Sequence, residues 1–147
     1  MTHTSSFTPL TDIKPMPPIS GWQDFLNDGK SFYKTAEAAL RKNKKVFTPE
    51  ILYNIIAMAI EKFVMAALMK HGAMPYNHTM RDLVEAMDTT FPNALDDLRD
   101  GLLKMDEYQD ICDLDGFRIT PPEMDQIPEM VQMATTLKGL VSNELTS

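Results

Sequence analysis

The sequence predicts an all-α protein, folded as an up-and-down helical bundle of four to five helices. Apolar residues recur at steps of three and four along most of the chain, and helix-start signals precede several of these stretches. No stretch alternates between apolar and polar residues for long enough to predict a strand. With 147 residues, the chain can form one domain around a single core.

Residues 1–20 are predicted to form a flexible arm outside that bundle. Eleven of them are Ser, Thr or Pro, and the prolines preclude a continuous helix. No uninterrupted apolar stretch follows a basic start, so the arm does not have the pattern of a signal peptide. The helical bundle is therefore assigned to residues 21–147.

The first helix is predicted over residues 22–43, where aromatic residues, leucines and alanines recur on one face. Gly29 interrupts this face. Because glycine weakens a helix but leaves room for another backbone, Gly29 predicts a close approach by a neighbouring helix.

The second helix has clear signals at both of its ends. Thr48 can cap the helix, and Pro49 suits the first helical position. The helix is predicted to continue to His71 and to stop at Gly72.

The interior of this second helix, residues 51–69, is apolar nearly all round, with Asn54, Glu61 and Lys62 as the clear exceptions. The adjacent charges near its middle argue against a membrane span, and no membrane association is predicted. A helix that is apolar on every side must be covered on every side. Either a fourth helix or a second subunit must therefore cover part of it, and we expect a homodimer. The predicted dimer interface comprises Ile55, Ala59, Phe63 and Ala66.

Thr79 and Asp82 form a capping-box-like start for a third helix, predicted over residues 79–90. Phe91 and Pro92 end it. Apolar residues at i, i+3, i+7 and i+10 then predict a fourth helix with one face directed inward. These residues are Leu95, Leu98, Leu102 and Met105.

An acidic connection leads to the last helix. Residues 120–123, Thr-Pro-Pro-Glu, have the pattern of another capping box with proline at the first helical position. From there the last helix is predicted to reach about Leu145, with a kink or a fresh start at Pro128.

Charge is distributed unevenly along the chain. Residues 1–47 carry seven basic and four acidic side chains, whereas residues 48–147 carry seven basic and seventeen acidic ones. Phosphate would be repelled by an extended surface of the acidic part, so DNA is not predicted as a partner and any RNA or nucleotide contact must be local. A basic cluster can either take part in such a contact or form a solvated helix end. It consists of Arg41, Lys42, Lys44 and Lys45.

Few signals of metal or cofactor chemistry are present. Cys112 is the sole cysteine, which excludes an internal disulfide and thiolate zinc sites and, without a leader, predicts a cytoplasmic protein. No P-loop, dinucleotide glycine fingerprint, HExxH or nucleophile-elbow pattern occurs, so no cofactor is predicted. Residues 113–116 mimic the middle of a calcium loop, but Ile111 and Pro122 stand where that loop needs acidic ligands, and no metal site is predicted.

Polar residues concentrate in the loop between the second and third helices. His71 and His78 bracket this loop, and Lys70, Tyr76 and Arg81 lie nearby in sequence. Together these groups can bind an anion or exchange protons near neutral pH. The alternative is structural, with His71 satisfying carbonyls at a helix end and His78 helping to cap the next helix.

The order of segments resembles the HEPN family of small helical bundles over residues 22–145. The segments that carry the resemblance are FYKTAEAAL, YNIIAMAIEKFVMAALMKHG, HTMRDL and the arginine-bearing acidic connection before TPPE. The resemblance implies a bundle that is commonly dimeric and works beside a minimal nucleotidyltransferase. It also matches His78 to the family's loop histidine, and Arg118 to its arginine before the last helix.

Many members of that family are ribonucleases with an arginine four to six residues before a histidine. This spacing is missing here, so the resemblance implies a binding or regulatory module for a nucleotide, RNA or partner protein, in the manner of a toxin–antitoxin pair. No catalytic residue is predicted. The candidate ligand-binding residues are His78, Arg81, Arg118, Lys70 and Tyr76. The alternatives are a ribonuclease toxin with a nonstandard active site and a purely structural protein-interaction domain.

Overall fold

The structure, a computed structural model, describes residues 16–110, 118–119 and 121–146. Within these residues it contains five α-helices, and the predicted all-α bundle is confirmed. The helices are α1 Trp22–Arg41, α2 Pro49–Lys70, α3 Met80–Thr90, α4 Arg99–Met105 and α5 Ile127–Thr146. Short 3-10 helices span Asp106–Tyr108 and Met124–Gln126, and two-residue strands β1 Gln109–Asp110 and β2 Arg118–Ile119 pair antiparallel. Strands this short leave no period-two pattern, which is why the sequence does not predict them.

The predicted starts of α2 and α3 are confirmed. The hydroxyl oxygen of Thr48 accepts a hydrogen bond from the Ile51 N–H at 3.2 Å, with proline following it in the first turn. The hydroxyl oxygen of Thr79 likewise accepts from the Asp82 N–H at 3.1 Å. In both cases a side-chain oxygen satisfies an N–H that the helix itself leaves without a partner.

The end of α2 is closed by Gly72, as predicted. Its φ of +73° lies in the left-handed region that glycine adopts without strain. The Ala73 N–H donates to the Leu68 carbonyl at 2.9 Å, and the Gly72 N–H donates to the Met69 carbonyl at 3.0 Å. This pair of bonds is the Schellman pattern for a helix end.

Residues just before α1 also lie against the end of α2. The Ile19 N–H donates to the Met69 carbonyl at 2.7 Å, and Met16 and Pro17 lie beside Gly72. Residues 1–15 of the predicted arm lie outside the described residues.

The central helix of the bundle is α2, and α1, α3 and α5 all pack along it. By length and composition it could cross a membrane, yet most of it is buried among the other helices, as in a core helix. Ala59, Phe63 and Ala66 are fully buried within one chain. Their assignment to a dimer interface is therefore corrected, because helices of the same chain already cover them. Ile55 is half-buried and keeps an accessible surface.

The first helix runs antiparallel to α2. Its start lies at the end of α2, where the Lys70 ammonium is 5.5 Å from the centroid of the Trp22 ring. Further along, a Cβ added at Gly29 would lie 2.8 Å from the Phe63 ring and 3.2 Å from the Cβ of Lys62. The close helix approach predicted at Gly29 is confirmed.

The third helix runs in the same direction as α2, so the up-and-down order predicted from the sequence is wrong for this pair of helices. His78, before α3, hydrogen-bonds Glu61 in the middle of α2, and Phe91, after α3, packs edge-on against His71 with ring centroids 4.7 Å apart. At the helical rise per residue, Glu61 and His71 are about 15 Å apart along α2. The loop that joins the two helices therefore runs back along α2 by a similar length. A groove lies beside α2 where α3 begins.

The fourth and fifth helices begin later than the sequence predicts. Leu95 and Leu98 are buried as expected, but they lie in turns after Asn93, whose φ is +69°, and α4 begins at Arg99. A capping box formed by Glu123 and Gln126 begins the 3-10 helix that precedes α5. Helix α5 begins at Ile127, in agreement with the fresh start predicted at Pro128. Thr120, the cap predicted from the sequence, lies outside the described residues.

Candidate functional site

A groove between α2 and the start of α3 brings polar and apolar side chains together. Its open volume is about 230 Å³. Its lining includes Tyr53, Asn54, Met58, Glu61, His78 and Asp106. We call this feature the α2–α3 groove, and its size suits a polar group of a ligand rather than a whole macromolecule.

An imidazole and a carboxylate meet at the centre of the groove. Nδ1 of His78 and Oε1 of Glu61 are 2.5 Å apart, and both side chains are partly exposed. An ionised carboxylate only accepts hydrogen bonds, so Nδ1 is the donor. This contact fixes the orientation of the imidazole ring and leaves Nε2 as its second polar atom.

The wall of the groove is held by the start of α3. Both carboxylate oxygens of Asp106 accept backbone hydrogen bonds, from the Met80 N–H at 2.9 Å and from the Arg81 N–H at 3.0 Å. A negative charge is stabilised at a helix N-terminus, where N–H groups have no partner within the helix. Asp106 therefore ties the end of α4 to the start of α3, next to His78.

Tyr53 forms the buried floor of the groove. Its hydroxyl donates to the Met105 carbonyl at 2.8 Å, and its ring packs edge-on against Tyr108 with centroids 5.5 Å apart. Burial, together with the negative charge of Asp106, raises the pKa of Tyr53 to about 12. The hydroxyl is therefore a structural donor in the neutral pH range.

Replacing Tyr53 with Phe is expected to remove a pH-dependent part of the stability. The folded state holds the Tyr53 proton more tightly than the unfolded state, in which tyrosine ionises near its ordinary pKa of about 10. Between about pH 10 and the folded pKa of about 12, the unfolded state binds fewer protons, so stability falls as pH rises. Over this pH range the free energy of unfolding of the wild type falls by a total on the order of 2 kcal/mol through Tyr53, and Tyr53→Phe does not show this part of the decrease.

Urea unfolding at several pH values from 8 to 12 measures this effect. The difference in free energy of unfolding between wild type and Tyr53→Phe isolates Tyr53, because every other side chain is common to the two proteins. Parallel curves for the two proteins over this range would contradict the prediction. Near pH 8 the variant is expected to be less stable by about 1–3 kcal/mol, because the Met105 carbonyl loses its donor.

The structure separates Lys70 from the other predicted ligand-binding residues. Its ammonium donates to the Leu145 carbonyl at 2.7 Å, at the end of α5. There a cation satisfies a terminal carbonyl and complements the helix dipole. Lys70 also lies about 13 Å further along α2 than Glu61, so it does not belong to the α2–α3 groove.

Tyr76 and Arg81 are not among the residues that line the groove. Tyr76 is 92% exposed and borders a separate depression with Asp82 and Glu85. Arg81 is exposed and borders a neighbouring depression whose other charged residues are mostly acidic. For Arg118 the structure describes the backbone, paired with Asp110 in β1, and its side chain lies outside the described part.

Sequence reasoning found His78 but missed its partners. The signal for Glu61 was present, since Asn54 and Glu61 are polar interruptions seven residues apart on one side of an apolar helix. Asp106 had no such signal, because its role depends on where α4 ends relative to α3.

The comparisons with known proteins add no assignment. Neither protein-family models, nor curated proteins, nor solved structures give a match to this chain. Among the described residues, no three His, Cys, Asp or Glu side chains converge as metal ligands, and the calcium-loop-like residues 113–116 and Cys112 lie outside them. The candidate site is therefore argued from the α2–α3 groove alone.

Proposed function

We propose that the protein is a HEPN-like, dimeric binding and regulatory module that holds a ligand in the α2–α3 groove without transforming it. The observation that carries this proposal is the His78–Glu61 contact, because it fixes a polar side chain in an open groove. Fixed polar groups beside apolar walls are typical of ligand sites. The remaining hydroxyls of the groove are engaged in structural bonds, since Tyr53 donates to Met105 and Thr79 donates to Asp82.

The ligand class that we propose is a nucleotide or a short RNA, with a cytoplasmic nucleotidyltransferase-type protein as a partner. The sequence resemblance supports both. His78 lines the groove and Arg81 lies in the first turn of α3, and both side chains can bind phosphate. The acidic side chains of Glu61 and Asp106 oppose a phosphate, so further positive charge is needed for binding.

A ribonuclease is the second candidate, and one contact favours it. A carboxylate that accepts a hydrogen bond from Nδ1 of a histidine selects the tautomer in which Nε2 carries no proton. Nε2 can then accept a proton, as it does in a general base. In such an enzyme Nε2 of His78 would take the proton of an attacking ribose hydroxyl.

Replacing His78 with Ala is expected to weaken ligand binding at least tenfold, because it removes the oriented imidazole. Thermal unfolding of the full chain with ATP and with a short single-stranded RNA provides the measurement. A ligand present at about 100 times its dissociation constant stabilises the folded state by about 2.7 kcal/mol and so raises the Tm. His71→Ala is the matched control, because His71 packs against Phe91 away from the groove.

Gel analysis of the same RNA separates the candidates. Intact RNA and a Tm increase that His78→Ala abolishes support the binding module. Cleavage that His78→Ala abolishes and His71→Ala retains supports the ribonuclease. Equal Tm increases in wild type and His78→Ala would show that the groove is not the site. No Tm increase and no cleavage would contradict both candidates and favour a protein-interaction domain.

A further inference from the structure

One apolar stripe of α2 remains uncovered in the single chain. Ile51 and Met58 are 42% and 41% exposed, and Ile55 between them is half-buried. These residues follow i, i+4, i+7 spacing, so they lie on one side of the helix. We call these three residues the α2 stripe. The stripe borders the α2–α3 groove, because Met58 belongs to both.

The N-terminal end of the α2 stripe is basic. Four exposed cations lie at the end of α1 and in the turn that follows it, and we call them the basic turn. They are Arg41, Lys42, Lys44 and Lys45. One of them, Arg41, also pairs with Glu37 at 3.4 Å, and Glu50 is the acidic residue in the first turn of α2, so the excess of positive charge comes from the lysines. The turn is well defined, since Asn43 adopts a φ of +50° and the Lys44 N–H donates to the Ala39 carbonyl at 3.2 Å. Val46, the next residue, is also strongly exposed.

The other end of the α2 stripe is acidic. Glu61 and Asp106 lie there in the α2–α3 groove. Lys62 is turned toward α1, where its ammonium is 4.4 Å from the centroid of the Phe25 ring. The stripe therefore has positive charge at one end and negative charge at the other.

We propose that a second copy of the chain docks on the α2 stripe with its own α2 antiparallel, and that its basic turn completes the α2–α3 groove. A pairing of Ile51 with Met58 of the second copy puts Ile55 near the two-fold axis. Glu61 then faces Thr48 of the second copy, next to the basic turn. By symmetry this contact between opposite charges occurs twice.

The order of charges favours a second copy over other occupants. A basic peptide would complement only the acidic end of the stripe, and an anionic polymer only the basic end. A second α2 in antiparallel orientation complements both ends, because it carries the same stripe in reverse. The apolar centre is covered at the same time.

This inference rests on the proposed function and supplies what the single-chain groove lacks. Lys44 and Lys45 of the second copy add positive charge beside His78 and Glu61. A phosphate in the groove then meets cations of one copy and the imidazole of the other. The dimer is thus part of the binding site.

Sedimentation velocity of the full chain tests the surface. The wild type is expected at twice the chain mass of 16.6 kDa, and Met58→Glu at the chain mass. Met124→Glu is the matched control, because Met124 has a similar exposure of 44% but lies outside the stripe, and this variant is expected to remain dimeric. A wild type at the chain mass up to several hundred micromolar, or a dimeric Met58→Glu, would overturn the proposal.

Charge reversal tests the antiparallel register. Lys45→Glu and Glu61→Lys are each expected to raise the dimer dissociation constant about tenfold, and the double variant is expected to restore it. Within one chain the two positions are separated by about 18 Å of α2 alone, so rescue has to occur between copies. Circular dichroism confirms that each variant folds. Failure of the double variant to recover association, with both singles folded, would overturn the register.

Ligand binding by Ile51→Glu, a variant also expected at the chain mass, keeps this inference distinct from the proposed function, because Ile51 belongs to the α2 stripe but does not line the α2–α3 groove. A folded monomer whose affinity for ATP or RNA falls at least tenfold supports the shared site. A monomer with unchanged affinity would overturn the shared site and leave the proposed function standing. A dimer with the expected charge rescue but no affinity for either probe would support the surface and contradict the nucleotide and RNA proposal.

Discussion

Replacing Phe63 with Ala is expected to lower the free energy of unfolding by about 3–5 kcal/mol. Phe63 is fully buried in the middle of α2 and is one of the largest side chains in the core. Its ring lies against Gly29, where α1 and α2 are already in close contact. The helices have no closer packing to adopt, so most of the space left by the ring remains as a cavity.

Urea unfolding monitored by circular dichroism measures this loss. Leu140→Ala is the control, because Leu140 is an exposed leucine on α5 and its truncation is expected to cost about 1 kcal/mol or less. Both variants are compared at one protein concentration, because the proposed dimerisation would contribute to the apparent stability. Similar losses in Phe63→Ala and Leu140→Ala would show that Phe63 is not packed in the core.

The helices that the sequence predicts best are those with local signals at their ends. Thr48 and Thr79 accept hydrogen bonds from N–H groups three residues further on, and Gly72 adopts the left-handed conformation at a helix end. These interactions involve neighbouring residues only, so the residue types alone predict them. The bounds of α2 and α3 agree with prediction to within one residue.

The parts that the sequence predicts poorly depend on contacts between distant residues. Leu95 and Leu98 have helical spacing, yet they lie in turns, because Asn93 reverses the chain and Arg99 pairs with Asp88 of α3 and with Asp96. Periodicity records which residues face the core and not whether the backbone between them is helical. The parallel direction of α2 and α3 could not be predicted for the same reason, because no local signal indicates the path of the loop between them.

The coverage of α2 illustrates the same limit. Its apolar sequence predicts that every side is covered, but it does not say which residues the other helices of the same chain cover. The alanines and Phe63 are covered by α1 and its neighbours, which leaves Ile55, with Ile51 and Met58, as the accessible part. A prediction based on small residues therefore selected the intramolecular contact surface.

The candidate site was predicted in part. His78 was found because a histidine beside a helix start is a distinctive residue, whereas Glu61 lies seventeen positions earlier in a different helix. Lys70 was grouped with His78 because it is near in sequence, although its ammonium is used at the end of α5. Proximity along the chain is a poor guide here, because the connecting loop carries His78 away from the end of α2.

Replacing Gly72 with Ala is expected to destabilise the protein by about 2–4 kcal/mol, for two separate reasons. The backbone at Gly72 has a φ of +73°, which costs a residue with a Cβ about 1–2 kcal/mol. The added Cβ would also lie 2.4 Å from the Cβ of Met16 and 2.7 Å from the carbonyl oxygen of Pro17. Such overpacking typically costs about 1–3 kcal/mol. Pro17 cannot move away easily, because the Ile19 N–H is bonded to the Met69 carbonyl at 2.7 Å.

The same substitution at Gly139 is expected to have the opposite sign. Gly139 lies in the middle of α5, and an added Cβ meets no atom within 4 Å, so alanine should stabilise the helix by about 0.5–1 kcal/mol. Urea unfolding of both variants gives the contrast. Adding Met16→Gly to Gly72→Ala is expected to recover part of the loss, since it removes one overlapping atom but not the positive φ. Gly72→Ala could instead lower the free energy of unfolding by only about 1 kcal/mol, with no recovery when Met16→Gly is added. That result would mean that only the positive φ destabilises the variant, and that residues 16–19 do not pack on the end of α2 in solution.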